Sequence, residues 1–253
     1  ASDYFGVSVS ISGDVIVIGA DWHDYDSAGG SNVTGAGAAW VFNKNSGGTD
    51  NWGVVKKLTG KGTNGRVAND HFGNSVAIDG DLVIVGAYQQ DYDASGASIV
   101  NNAGAAYIFS KNQGGTDNWG LVKKIVGSGT NSRLASDNFG VSVSISSNIA
   151  IVGANYQDYD ESGANFVNNS GAAYIFSKDQ GGSNNWGLVK KIIASGTNNT
   201  DEKFTAGETI AEYDETTAAL VPSGITAAVN TCHTGSAAEI KEGVYYINGF
   251  HVD

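Results

Sequence analysis

The chain has 253 residues, among them 36 glycines, one proline, one cysteine and no methionine, and its 26 acidic against 14 basic residues leave a net charge of −12. Such a length can bury a proper core, while the acid excess argues against nucleic-acid or anionic-membrane partners and no apolar run approaches the ~20 residues of a membrane span. One cysteine makes no internal disulfide, and a start without methionine or leader is expected of a segment of a longer polypeptide.

The strand signals begin at the first residues. Val7-Ser8-Val9-Ser10-Ile11 alternates with period two, Ser12-Gly13-Asp14 is a turn, and Val15 to Ile18 is a continuous apolar run. A polar loop then covers about 21–36. Ala38 to Phe42 is apolar on both faces, with Trp40 and Phe42 on one side and Ala39 and Val41 on the other. A glycine-rich turn over 43–49 leads to Trp52 and a last strand, Val54 to Leu58. The unit reads as four short strands without a helical period.

This unit returns twice, each time 67 residues on and without insertion. Phe5-Gly6 recurs as Phe72-Gly73 and Phe139-Gly140, and Gly19-Ala20 as Gly86-Ala87 and Gly153-Ala154. Gly37 to Phe42 recurs as Gly104 to Phe109 and Gly171 to Phe176, and Trp52 as Trp119 and Trp186. Strands buried on both faces need stacked sheets, and four-stranded repeats arranged radially are propeller blades. A sandwich also stacks sheets, but a strict period favours blades. The expected fold is all-β: three tandem four-stranded blades over 1–67, 68–134 and 135–199, then a small β-rich segment over 200–253. Propellers use about four to eight blades, so further blades or other subunits of a larger assembly are expected, and with them an oligomer.

The order Phe-Gly, two strands, Gly-Ala, loop, Gly-Ala-Ala-(Tyr/Trp)-(Ile/Val)-Phe resembles the FG-GAP repeats of integrin α-subunit propellers and bacterial surface proteins, across residues 1–199. The resemblance implies a β-propeller outside the cell, engaged in adhesion or recognition. Two features depart from the family pattern. The proline of Gly-Ala-Pro is replaced by Asp21, Tyr88 and Asn155, and the calcium run between the first two strands is absent from Ser12-Gly13-Asp14, Asp79-Gly80-Asp81 and Ser146-Ser147-Asn148.

The long loop carries the site candidates. Each copy holds Asp-Tyr-Asp: Asp24-Tyr25-Asp26, Asp91-Tyr92-Asp93 and Asp158-Tyr159-Asp160, with Asp21 and Glu161 as extra carboxylates. Alternating carboxylates followed by glycine suit Ca²⁺, which takes six to eight oxygens; equally, aspartates cap turns in solvated loops. Trp22, which replaces Gln89 and Tyr156, is a candidate contact residue together with Tyr25, Tyr92 and Tyr159. Trp52, Trp119 and Trp186 recur in step with the fold, as packing anchors do, although aromatic faces also stack on sugars. The pairs Lys56-Lys57, Lys123-Lys124 and Lys190-Lys191 are expected to guard an exposed fourth-strand edge. No catalytic role is expected. None of His23, His71, His233 and His251 recurs between repeats, Cys232 and His233 would point to opposite faces of a strand, and no phosphate loop, nucleophile elbow or zinc helix occurs.

From about Thr200 the composition shifts, with nine acidic and two basic residues over 200–253. Residues 216–229 read as extended, with a turn at Pro222-Ser223-Gly224. Val244 to Val252 around Asn248-Gly249 is a hairpin signature. The stretch Ala238 to Phe250 also resembles a segment of tail-fibre and baseplate proteins of tailed phages; an ordinary hairpin of a secreted modular protein reads the same way. The function expected is a non-enzymatic extracellular recognition or structural module, such as an attachment component of a virion tail or a surface adhesin. Its partner would be a protein or glycan on a cell surface. The alternative is a calcium-dependent, lectin-like propeller.

Overall fold

A computed structural model describes residues 2–194 throughout and, beyond them, the backbone of five short strands between 212 and 252. The chain forms two units, Ala1–Ala194 and Ser195–Asp253.

The first unit is all β and holds three four-stranded sheets, each an antiparallel meander whose strands neighbour one another in chain order. Blade 1 is β1 (Val9–Ser12), β2 (Val15–Ala20), β3 (Ala38–Asn43) and β4 (Gly53–Leu58). Blade 2 is β5 (Phe72–Asp79), β6 (Leu82–Ala87), β7 (Ala105–Ser110) and β8 (Gly120–Ile125). Blade 3 is β9 (Phe139–Ser146), β10 (Ile149–Ala154), β11 (Ala172–Ser177) and β12 (Gly187–Ile192). These positions agree with the alternating and continuous apolar runs read from the sequence.

The blades stack face to face because the second and third strands of each sheet are apolar on both sides. Phe72, Val85, Tyr107, Phe109 and Trp119 of blade 2 form one core with Val17, Val41 and Leu58 of blade 1. From its other face, Ile84, Ile108 and Ile125 form a second core with Phe139, Val152, Tyr174, Phe176 and Trp186 of blade 3. Fully burying one such side chain is worth roughly 1.5–3 kcal/mol. Trp119 and Trp186 are thus the inter-blade anchors their recurrence suggests.

The glycines named in the repeat have a steric reason. A Cβ on Gly19 would overlap the carbonyl oxygen of Gly73 in the next blade, and a Cβ on Gly86 that of Gly140. In the same joints the Ser8 hydroxyl donates to the Gly73 carbonyl (2.7 Å) and the Ser75 hydroxyl to that of Gly140 (2.8 Å). Gly37 and Gly104 make parallel bridges to Phe72 and Phe139. The Phe-Gly and Gly-Ala elements are therefore the two sides of one close backbone contact, where any side chain would hold the blades apart.

A Phe-Gly opening that marks one place in each blade predicts equal burial of Phe5, Phe72 and Phe139, and this and the edge role of the lysines are corrected. Phe5, Phe72 and Phe139 have equivalent ring partners, Trp40 and Phe42, Tyr107 and Phe109, Tyr174 and Phe176. Their burial differs: Phe72 and Phe139 are each 1 % exposed, and Phe5 is 55 % exposed, because a preceding blade covers only the later two. The second lysine of each pair does not guard an edge. A register shift between Val41 and Phe42, repeated at Ile108/Phe109 and Ile175/Phe176, leaves one residue of the fourth strand unpaired. It sets Lys57, Lys124 and Lys191 opposite Trp40, Tyr107 and Tyr174, with the ammonium groups 5.3, 5.7 and 5.9 Å from the ring centres. Lys124 and Lys191 are buried. Lys56 and Lys123 instead reach the next blade, donating to Asn118 and Asn185.

In the second unit the backbone forms a pair, β13 (Glu212–Asp214) with β14 (Ala219–Val221), and a three-stranded sheet of β15 (Glu239–Lys241), β16 (Val244–Ile247) and β17 (Phe250–Val252). β16 and β17 are antiparallel, with Ile247 opposite Phe250 across Asn248-Gly249, as the hairpin signature predicts. The turn expected at Pro222-Ser223-Gly224 and the Cys232–His233 pair lie outside the described residues.

Candidate functional site

Each Asp-Tyr-Asp loop is stapled by its own aspartates. Asp26 accepts from the Ala28 and Gly30 N–H groups through Oδ1 and from Ser31 N–H through Oδ2. Asp93 accepts from the Ser95 hydroxyl and Ala97 N–H, and Asp160 from the Ser162 hydroxyl, Ala164 N–H and the Asn165 amide. The first aspartate of each loop closes its far end: Asp24 accepts from Gly35 N–H, Asp91 from Asn102 N–H and Asp158 from Asn169 N–H, at 2.9, 2.7 and 2.7 Å. The bonds to Asp26, Asp93 and Asp160 favour the charged form. Asp26 lies below the ordinary carboxylate range chiefly through Gly30 N–H, and Asp93 and Asp160 chiefly through the Ser95 and Ser162 hydroxyls. Among the described residues no group of three or more His, Cys, Asp or Glu side chains stands close enough to hold a metal ion. Tyr25, Tyr92 and Tyr159 form short bridges across their loops to Asn32, Ile99 and Phe166, and the Tyr159 and Phe166 rings meet edge to face at 5.4 Å.

A second arrangement lies under the loops and is buried. Asp70 accepts from the Val67 N–H and from Gln90 Nε2 (2.8 Å), and Gln90 Oε1 accepts from Lys124 Nζ (3.1 Å). Blade 3 repeats the last step with Gln157 and Lys191 (2.7 Å). Blade 1 substitutes histidine: Asp3 faces His23 Nδ1 at 3.3 Å and Lys57 Nζ lies 2.7 Å from His23 Nε2. Burial pushes Asp70 up to about 7 and Lys124 down to about 8. Each copy joins the entry to a blade, the loop after Gly-Ala and the fourth strand, so the relay is a structural lock. Its sequence signal was a polar residue every 67 positions; the buried destination of the lysine was not legible.

The third arrangement is where the repeats stop being alike. Positions 4, 71 and 138 carry Tyr, His and Asn; 21, 88 and 155 carry Asp, Tyr and Asn; 22, 89 and 156 carry Trp, Gln and Tyr. At the joint of blades 1 and 2 the structure gathers them. Trp22 meets His71 at 4.7 Å and Tyr4 at 6.3 Å, and His71 stacks on Tyr88 at 5.3 Å. Asp21 Oδ2 lies 3.7 Å from His71 Nδ1, and both residues are buried. Burial raises Asp21 and lowers His71, which keeps the imidazole neutral at neutral pH. Asp21 Oδ1 and His71 Nδ1 have no hydrogen-bond partner among the described residues. His71 also holds a left-handed backbone (φ 55°), as Tyr4 and Asn138 do at the equivalent positions. Trp22 is 41 % exposed above this pair. Chemically the cluster offers an acceptor and flat apolar faces side by side. Of the sequence candidates it contains Trp22 and Asp21; no aromatic contact joins Trp22 to Tyr25. His71 and Tyr88 were missed, although their departure from the repeat was the available signal.

Stacked four-stranded meanders with a close Phe-Gly to Gly-Ala contact define a β-propeller repeat protein. The FG-GAP repeat family matches residues 1–42, 52–109 and 119–176, the second and third matches each beginning at the fourth strand of the preceding blade. The chain belongs to the FG-GAP repeat family. No curated protein matches it. Similar solved structures include a europium-containing methanol dehydrogenase, at 6 % identity and a TM-score of 0.39 over 74 % of this chain and 24 % of that one. Another is the computationally designed Ika8 protein, at 12 % identity and a TM-score of 0.27 over 73 % of this chain and 60 % of that one. The chain thus spans a quarter and three-fifths of their lengths, and likenesses this distant carry no functional argument.

Proposed function

We propose that the chain is a non-enzymatic recognition module that acts outside the cell, as an attachment component of a surface adhesin or a virion tail. Its ligand sits at the Asp21–Trp22–His71–Tyr88 cluster. The observation that carries this reading is the buried Asp21–His71 pair, with polar atoms left unpartnered beside an exposed indole, at positions where otherwise matching repeats diverge. Family membership supports the adhesive role by analogy, and the C-terminal hairpin is in keeping with a tail-fibre setting.

The same cluster favours a lectin-like form of that role. A sugar ring presents a C–H face to an indole and hydroxyl groups to a carboxylate, and an ionised aspartate is an acceptor only. In this form the carboxylate, and not a loop calcium ion, would hold the hydroxyls. Glycan-array and whole-cell binding test both forms. Trp22→Ala and Asp21→Asn are expected to abolish binding while Tyr92→Ala preserves it. Undiminished binding by both variants would remove the cluster from the function.

A further inference from the structure

The buried Asp21 carboxylate has no lysine or arginine against it. Its one basic partner among the described residues is His71, at 3.7 Å. The cations at this end of the blades are engaged elsewhere. Lys57 donates to the Asp26 carbonyl and lies against His23, and Arg66 donates to the carbonyls of Asp24 and Ser31. Between Asp21 Oδ2 and His71 Nδ1 the separation exceeds a hydrogen bond, and Asp21 Oδ1 and His71 Nδ1 are left unpartnered although His71 is only 4 % exposed. A buried charge without a counter-charge is costly, and a cation arriving from solution offsets that cost. We infer that the ligand of this cluster is an amino sugar whose primary ammonium group lies between Asp21 Oδ1 and His71 Nδ1. This rests on the cluster being the ligand site and names the chemistry it selects.

The donor count favours the ammonium over other groups. A primary ammonium has three N–H donors and no acceptor, so one nitrogen serves both Asp21 and, with the His71 proton on Nε2, the free ring nitrogen. A neutral hydroxyl has a single donor and brings no charge, and a quaternary ammonium has no N–H at all. The surroundings suit a cation as well. The Trp22 and Tyr88 rings flank His71 at 4.7 and 5.3 Å, and aromatic faces attract ammonium groups, indole most strongly. The net charge of −12 draws cations toward the chain from a distance. At the joint of blades 2 and 3 the matching positions hold Tyr88, Gln89, Asn138 and Asn155, so the carboxylate belongs to the first joint and not to the repeat. Both unpartnered atoms are covered, and the half-exposed Trp22 ring stands edge-on to His71, so the ligand enters as the indole turns aside and then packs its C–H face there.

Titration calorimetry of the 253-residue chain at neutral pH tests this with a glucosamine trisaccharide, its N-acetylated counterpart and tri-lysine. The free-amine sugar is expected to bind about tenfold more tightly than either of the others. Asp21→Asn is expected to lose that binding with the far-ultraviolet circular dichroism unchanged. Asp14→Asn, which removes an exposed carboxylate at the other end of the second strand, should keep it, since net charge alone does not make the site. Equal binding of the acetylated sugar, abolished by Trp22→Ala, would overturn the ammonium and leave the cluster as the ligand site. Binding that survives both Trp22→Ala and Asp21→Asn would overturn the cluster itself. Equal affinity for tri-lysine would assign the ammonium to a protein, and no binding of the free-amine sugar would leave it no partner here; either overturns the inference.

Discussion

The Gly140 carbonyl oxygen occupies the place where a side chain on Gly86 would begin. The two residues sit on adjacent blades, and their contact sets how closely the sheets approach. Gly86→Ala is therefore expected to force the joint open and to cost about 1–3 kcal/mol, the usual range for overpacking. Gly30→Ala, where a Cβ meets nothing, should stay within about 0.5 kcal/mol of the parent. Urea denaturation of both variants checks the contrast.

Tyr107 is fully buried and donates its hydroxyl to the Gly65 carbonyl at 2.9 Å. Tyr107→Phe keeps the ring contacts with Phe72 and leaves a buried carbonyl short of a donor, so a loss of about 1–2 kcal/mol is expected. Tyr25→Phe, at an exposed hydroxyl, should leave the urea midpoint unmoved.

Asp70 imposes a pH dependence whose sign follows from burial. Its folded value of about 7 stands above the ordinary 3.8, so the folded chain keeps a proton that the unfolded chain has released between about pH 4 and 7. The contribution of Asp70 to stability is full below pH 4 and is lost as pH rises through 7. Asp137, raised to about 6 by burial, acts in the same direction, whereas His71, lowered by burial, acts in the opposite one. The difference in melting temperature between Asp70→Asn and the parent isolates the first of these. It is expected to climb in favour of the variant from pH 4 to 7, whatever its value at pH 4. A difference that stays flat across that interval would refute the assignment.

The loop aspartates engage donors of their own loops, so excess chelator is expected to leave the melting temperature of the calcium-treated protein unchanged. A cation bound only by the folded chain would stabilise it by mass action. A fall on chelation, reversed by calcium, would show that Asp26, Asp93 and Asp160 share their oxygens with a metal ion.

Much of this architecture is a local property of the chain. Alternation in Val7 to Ile11, the two-faced run Ala38 to Phe42 and their exact return every 67 residues are enough to define strands, blades and family, because side-chain period and repeat length need no knowledge of neighbours. The Asn248-Gly249 hairpin is legible for the same reason. The destination of the lysines was not: in blade 2 neighbouring blades cover both faces of the fourth strand, and the unpaired residue that sets Lys124 opposite Tyr107 appears only in the strand register. The Asp21–His71 pair was not legible either. Fifty residues separate the two, on different blades, and what brings them together is the Gly19–Gly73 approach between stacked sheets. The sequence by itself determined which surfaces are apolar and how often they recur; tertiary structure decided which polar groups those surfaces bury against one another, since desolvation depends on the neighbouring blade and not on the residue's own strand.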